Sequence, residues 1–248
     1  MAVISLYSMK GGVGKTSCGV NLAYLASRDI GPTLLCDLDP QGSSSFYFRI
    51  RSEPNFSAKK FLKGGKSLEK NIKATDFENL DLIPSTLSFR TIDIKLGNQK
   101  HSRSGLRRLF EPLEKEYKMI FIDCPPNITL ESENIFLASN MILVPIIPTV
   151  LSLVSLEKLR TFFDNKGLKK KKIYLFLSMA DRRKKLHREN IEKIPEYYKR
   201  TLNTIIPYTS LIEKMGIQRK PVVVSNPRSA AALAFEKLWK EILQILNN

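Results

Sequence analysis

The sequence predicts an α/β fold, with a mostly parallel, twisted sheet flanked by helices on both faces. Three observations carry this. Short β-branched apolar runs recur along the chain, stretches of helix length with amphipathic character separate them, and a glycine-rich turn joins the first run to the first helical pattern.

Taken in order, the apolar runs at residues 3–7, 33–36, 80–83, 119–122, 141–145, 173–177 and 204–206 read as strands, each bracketed by turn residues. Helices are expected directly after Gly14, then over 104–117, 151–163, 187–200 (with Pro195 near the middle) and 229–246. The last carries an apolar stripe of Leu238, Trp239, Ile242, Leu243 and Leu246, which suits packing on a sheet. Residues 49–79, with Pro54, Gly64, Gly65 and many lysines, read as an excursion from the sheet containing a short helix. No internal repeat, Gly/Ser linker or composition break divides the chain, so one domain over residues 1–248 is expected, without an N-terminal helix-turn-helix extension.

Composition excludes several classes. The 248 residues are 43% hydrophobic and 26% charged, with 12 Gly and 13 Pro, which suits neither a disordered nor a collagen-like chain. No apolar run reaches the roughly 18–20 residues of a membrane span, and the N-terminus lacks the basic start of a signal peptide, so the expected compartment is the cytoplasm. Cys18, Cys36 and Cys124 have no Cys-x-x-Cys spacing, so neither disulfides nor structural zinc are expected.

Charge is unevenly placed. Residues 166–200 hold 13 basic and 4 acidic side chains, a net +9 out of +16 for the whole chain. Such a run is either a solvated face or a contact for a polyanion, since neutralising phosphates releases condensed counterions. The candidate contacts are Lys170, Lys171, Lys172, Arg182, Arg183, Lys184, Lys185 and Arg188, and, nearer the C-terminus, Arg219, Lys220 and Arg228. No base-reading motif accompanies them, so contact with phosphates regardless of base sequence is expected.

The first strand ends in Ser8-Met9-Lys10-Gly11-Gly12-Val13-Gly14-Lys15-Thr16-Ser17, and a helical pattern starts at once. Glycines let backbone N–H groups curl round a phosphate, the helix N-terminus adds its dipole, Lys15 can reach the terminal phosphates and Thr16 can hold Mg²⁺. Met9 replaces the first glycine of the ordinary pattern, and a second lysine, Lys10, stands at the loop entrance. Downstream, Leu34-Leu35-Cys36-Asp37-Leu38-Asp39-Pro40-Gln41-Gly42 is a strand running into two carboxylates spaced to share one face, toward the end where α/β ligand sites form. Met119-Ile120-Phe121-Ile122-Asp123 is an apolar strand ending in a carboxylate placed to meet Mg²⁺ through water.

The run Lys10–Ser17 resembles the deviant Walker A motif of the ParA/MinD family of P-loop ATPases, and its Soj-like partition branch in particular. The Asp37–Gly42 and Asp123-Cys124-Pro125-Pro126 segments resemble that family's two switches. The resemblance implies a single-domain P-loop NTPase that uses ATP and Mg²⁺. It implies a nucleotide cradle of Lys10, Gly11, Gly12, Val13, Gly14, Lys15, Thr16 and Ser17, with Met179 and Pro207 beside the base. Thr16, Asp37 and Asp123 would serve the metal, Asp39 would orient the attacking water, and Lys10 would reach the partner's phosphates across a sandwich dimer. Implied partners are a second copy of the chain, non-specific DNA and a ParB-like or cargo adaptor protein, with nucleoid association in the ATP state and no stable membrane association. Rival readings are a MinD-like membrane positioning ATPase, which would want a basic amphipathic tail, and a metabolic P-loop ligase, which would not need the basic segment. An iron–sulfur reductase would need paired cysteines that the sequence does not offer.

Overall fold

The computed structural model describes residues 1–99 and 102–247. The chain runs β1 (Ala2–Leu6), α1 (Lys15–Asp29), β2 (Thr33–Asp37) and α2 (Ser43–Tyr47). An excursion follows, with α3 (Ala58–Lys63), α4 (Lys66–Glu69) and β3 (Lys73–Ala74), before β4 (Leu80–Ile83), α5 (Ile92–Gly97) and α6 (Gly105–Phe110). Then come β5 (Met119–Asp123), α7 (Leu130–Ala138), β6 (Met141–Ile146), α8 (Val150–Asn165) and β7 (Ile173–Ala180). The chain closes with α9 (Lys185–Tyr197), β8 (Thr201–Pro207), α10 (Ser210–Gln218), α11 (Val222–Ser225) and α12 (Ala230–Leu246).

The eight strands form one sheet in the order β3-β4-β2-β5-β1-β6-β7-β8, parallel throughout except for the β3 edge. Helices cover both faces. Alternation along β5 shows why: Ile120 and Ile122 join the core under α7 and α8, while Met119 and Phe121 join the core under α1 and α12. The order reverses at β1, the crevice position where ligands of open α/β sheets bind at the strands' carboxyl ends.

The apolar stripe of α12 packs as expected. Leu238, Trp239 and Ile242 are fully buried, Trp239 Nε1 donates to Asp29 Oδ2 at 3.0 Å, and Arg28 pairs with Glu236 at 2.6 Å. Truncating Trp239 to alanine would cost on the order of 3–5 kcal/mol.

Several boundaries differ from the sequence pattern, each for a local reason. The helix expected over 104–117 is α-helical only to Phe110, then tightens into a 3₁₀ turn at Glu111–Lys115, where Pro112 lacks the N–H that a continuing helix would use. The helix expected over 187–200 begins at Lys185 and stops at Tyr197, keeping Pro195 within its last turn, and β8 starts at Thr201 rather than at 204. β7 continues to Ala180, three residues beyond the expected end. The excursion holds two short helices and a strand rather than one short helix. The unanticipated helices include α7, whose Glu131, Ser132, Glu133 and Asn134 are polar yet buried, and α10.

Candidate nucleotide-binding site

β1, β2 and β5 lie side by side, and their register pairs Leu6 with Asp123 and Asp37 with Asp123. The glycine-rich loop therefore leaves β1 beside the two carboxylates. The loop is tied down at its base: Tyr7 is buried and its hydroxyl donates to the Asn127 carbonyl at 2.6 Å, while Lys10 N donates to Ser8 Oγ at 3.2 Å. Gly12 (φ 69°) and Gly14 (φ 92°) adopt the left-handed conformation that glycine takes at no steric cost. A Cβ on Gly14 would also stand 3.0 Å from Ser178 Oγ, whereas Gly11 and Gly12 face open space. Gly14 leads directly into α1, whose N-terminus carries no acidic side chain in its first turn.

Lys15 is only 7% exposed, and its Nζ donates to the Lys10 carbonyl at 3.4 Å, spanning the loop. Burial lowers its pKa, opposed by the charges of Asp123, Cys124 and Asp39. Lys10 makes no ion pair among the described residues.

Asp37 and Asp123 are fully buried, and each has one oxygen held by a serine of α2. Ser44 Oγ donates to Asp123 Oδ2 at 2.8 Å, and the Ser45 N–H and hydroxyl both donate to Asp37 Oδ2 at 2.7 Å. The other oxygen of each, Oδ1, has no hydrogen-bond partner among the described residues. Burial raises both carboxyl pKa values. The charge of Asp123 adds to the rise at Asp37, and hydrogen bonds from Thr16 and Ser44 oppose it at Asp123.

Asp39 stands past the end of β2 rather than on it. Its Oδ1 accepts from Gln41 N at 2.9 Å, and its carbonyl accepts from Ser85 Oγ at 2.6 Å. Ser85 N in turn donates to Ser45 Oγ at 2.9 Å, so a continuous chain of bonds links Asp37, Ser45, Ser85 and Asp39. Ser44, Ser45 and Ser85 carry no motif of their own; the one sequence signal for the first two is their place directly after Gly42, whose φ of 66° opens α2.

The donor set fits Mg²⁺. Two buried, unpartnered carboxylate oxygens beside the Thr16 hydroxyl are hard oxygen ligands, and an ion of this kind is usually held by one or two carboxylates while sharing its remaining positions with phosphate and water.

Beside the loop lies a cleft of about 200 Å³ whose walls include Gly12, Gly14, Ser17, Tyr47, Met179 and Pro207. Met179 takes a left-handed φ of 51°, unusual for a side chain of its size, at the carboxyl end of β7. The two residues expected beside a base are thus brought to the phosphate loop, together with Tyr47, which no motif marked.

The basic segment does not stay together. β7 separates it, placing Lys170, Lys171 and Lys172 in a 3₁₀ turn at the amino end of the sheet and Arg182, Arg183, Lys184, Lys185 and Arg188 at the carboxyl end with the phosphate loop. Some of these cations are already engaged. Arg183 forks onto Asp181 at 2.8 and 2.9 Å, Arg188 Nη1 donates to the carbonyls of Arg182 and Arg183, and Lys172 donates to the Ser139 carbonyl. Arg219 lies over the Phe46 ring at 4.1 Å, while Lys220 and Arg228 are exposed.

A parallel sheet that reverses at a glycine loop, with a buried lysine and a pair of half-satisfied carboxylates, defines a P-loop nucleotide-binding protein. Residues 1–175 match a family model described as an AAA domain. The chain is 30% identical over 253 residues to the sporulation initiation inhibitor protein Soj of Bacillus subtilis (strain 168), covering 97% of each. It is 27% identical over 251 residues to the chromosome partitioning protein ParA of Myxococcus xanthus, covering 98% of this chain and 88% of that one. A plasmid partition protein of Borrelia burgdorferi B31, solved bound to AMPPNP, shares the fold with a TM-score of 0.82 at 24% identity, covering 98% of each chain. The chain belongs to the ParA/MinD family of P-loop ATPases, in its Soj-like partition branch.

Proposed function

We propose that this chain is an ATP-dependent partitioning or cargo-positioning ATPase whose ATP-bound dimer holds DNA without regard to sequence and lets go after partner-stimulated hydrolysis. The observation that carries the reading is the pairing of Asp37 and Asp123, each with one buried oxygen unpartnered, directly beside Lys15. Asp37, Asp123 and Thr16 would hold Mg²⁺, and Lys10 through Ser17 would cradle the phosphates of ATP, with the base in the cleft of Met179 and Pro207. When bound, Mg²⁺ would neutralise charge on the transferring phosphoryl group.

The residues divide the remaining work. Lys15 releases its bond to the Lys10 carbonyl and turns its ammonium onto the terminal phosphates. Asp39, with Oδ1 fixed by its own turn, has Oδ2 left to orient a water for attack. Lys10, without an ion pair among the described residues of its own protomer, would complete the partner's site like an arginine finger, so that dimerisation gates the reaction. Pro125 and Pro126, next to Asp123, would carry the state of the site outward.

DNA would meet Arg182, Lys184 and Lys185 at the carboxyl end of the sheet, with Arg183 and Arg188 bracing the loop that presents them, and Arg219, Lys220 and Arg228 nearer the C-terminus. Two protomers would double the phosphates contacted, and each contact steepens the dependence on salt. The deciding experiment is DNA binding with ATP, ADP and no nucleotide over a salt series. Tighter binding with ATP is expected. Equal affinity in all three states would reduce the cations to a solvated face, and binding to anionic liposomes in place of DNA would favour the MinD-like reading.

A further inference from the structure

The cations at the amino end of the sheet line a cavity of their own. Between α8, α9 and the start of β7 lies a hollow of about 430 Å³, walled by Arg160, Lys170, Lys171, Tyr197, Lys199 and Arg200. We propose that it is a second anionic site that takes a nucleoside phosphate, with the phosphate on Lys171 and Lys199 and the ring against Tyr197.

Its position separates it from the phosphate loop. β7 is eight residues long, which at about 3.3 Å per residue puts the hollow roughly 26 Å from the sheet's carboxyl end. A nucleotide in the loop cannot reach it.

Its charge is largely uncompensated. Of the five cations in its wall, Lys170 alone has an acidic partner among the described residues, Asp164 at 2.7 Å.

Its donors are held in place. Arg160 lies over the Tyr198 ring at 5.1 Å, and Tyr198 is itself fixed by a hydrogen bond to Glu157. A guanidinium already held against a ring loses less freedom when it binds an anion.

Tyr197 favours a nucleotide as the ligand. It is 74% exposed, an aromatic face at the mouth of a cationic hollow, which is the combination that stacks a base beside its phosphate. A duplex offers phosphates but hides its ring faces, so the site suits a free nucleotide or an unpaired nucleotide in a single strand. The volume lies within the roughly 300–1,000 Å³ of small-ligand pockets.

Equilibrium dialysis of radiolabelled ADP against the full chain tests this. Wild type should bind two equivalents, and Lys15→Ala, whose phosphate loop binds at least about tenfold more weakly, should keep one tight equivalent. Lys171→Glu with Lys199→Glu, both on exposed side chains, should weaken that remaining equivalent by at least about tenfold, the worth of a charge-assisted hydrogen bond, and Tyr197→Ala should weaken it by severalfold. The same charge reversals in the wild-type background should lower the stoichiometry from two to one, which keeps the test sound even if Lys15→Ala destabilises the fold. Displacement of the ADP by an octathymidine strand identifies a strand as the source of the nucleotide, and persistence of the ADP identifies the free form; either supports the site. Wild type binding a single equivalent, or a second equivalent indifferent to Lys171→Glu, Lys199→Glu and Tyr197→Ala, overturns it while leaving the phosphate-loop reading intact.

Discussion

Asp37 and Asp123 face each other across neighbouring strands, and each carboxylate is half satisfied: Ser45 holds Oδ2 of the first, Ser44 holds Oδ2 of the second, and both Oδ1 atoms are buried without a partner. Two like charges in a dry site repel, and both groups are pushed toward the neutral form by burial. A divalent cation reverses that balance. An ion held there, as proposed, would couple metal binding to folding, with the serines setting how much of the cost is borne without it.

Ser45→Ala removes both the hydroxyl donated to Asp37 and the acceptor used by Ser85 N. It should destabilise the chain by about 1–3 kcal/mol in urea unfolding without Mg²⁺. The deficit should shrink when MgADP is present, because the ion then compensates Asp37; an equal deficit with and without MgADP would detach Ser45 from the metal site.

Lys15→Ala should weaken ADP binding at the phosphate loop by at least about tenfold in a titration, since a charge-assisted contact is lost. Lys10→Ala should leave the affinity of an isolated protomer within about twofold, because the Lys10 ammonium has no role in its own site, yet abolish partner-stimulated turnover. Loss of both together would mean that Lys10 acts within its own protomer.

Glu131, at 3% exposure, has its carboxyl pushed up to about 8 by burial and by the charges of Asp93 and Asp39. The folded chain keeps a proton there that the unfolded chain gives up near pH 4.5. The sign follows: stability that Glu131 contributes below about pH 4.5 is lost as pH rises toward 8. Glu131→Gln cannot ionise, so its advantage over wild type should grow from near zero at pH 4.5 to on the order of 4 kcal/mol at pH 8. A constant difference across that window would contradict the protonated reading.

Among the surface cations, Arg182→Glu with Lys184→Glu should weaken DNA binding and lower the salt slope by about one for each contact removed. Lys170→Glu, at the opposite end of the sheet and already paired with Asp164, should change neither.

Much of this was legible in the residues. Each apolar β-branched run became a strand, because burial on both faces of a parallel sheet demands such runs. The loop from Lys10 to Ser17 and the aspartates at 37 and 123 could be located because phosphate and metal chemistry fixes both residue type and spacing. What stayed hidden depends on tertiary neighbours. α7 reads as polar, yet Glu131, Ser132, Glu133 and Asn134 are buried, with Arg103 and Lys166 paired to Glu133 and Asn134 donating to the Ser102 carbonyl. Ser44 and Ser45 matter only because α2 turns them onto carboxylates, one of them 79 residues away in sequence. The basic segment reads as one patch, and its division depends on the eight residues of β7 that run through it.

The central claim, that nucleotide joins two copies of this chain, is tested most directly by the solution mass of the protein from sedimentation or scattering, with and without Mg²⁺ and a non-hydrolysable ATP analogue. The account predicts a single-copy particle alone, a doubled mass with the analogue, and no doubling for Lys15→Ala. A single-copy mass in every condition, or a dimer indifferent to nucleotide, would contradict it.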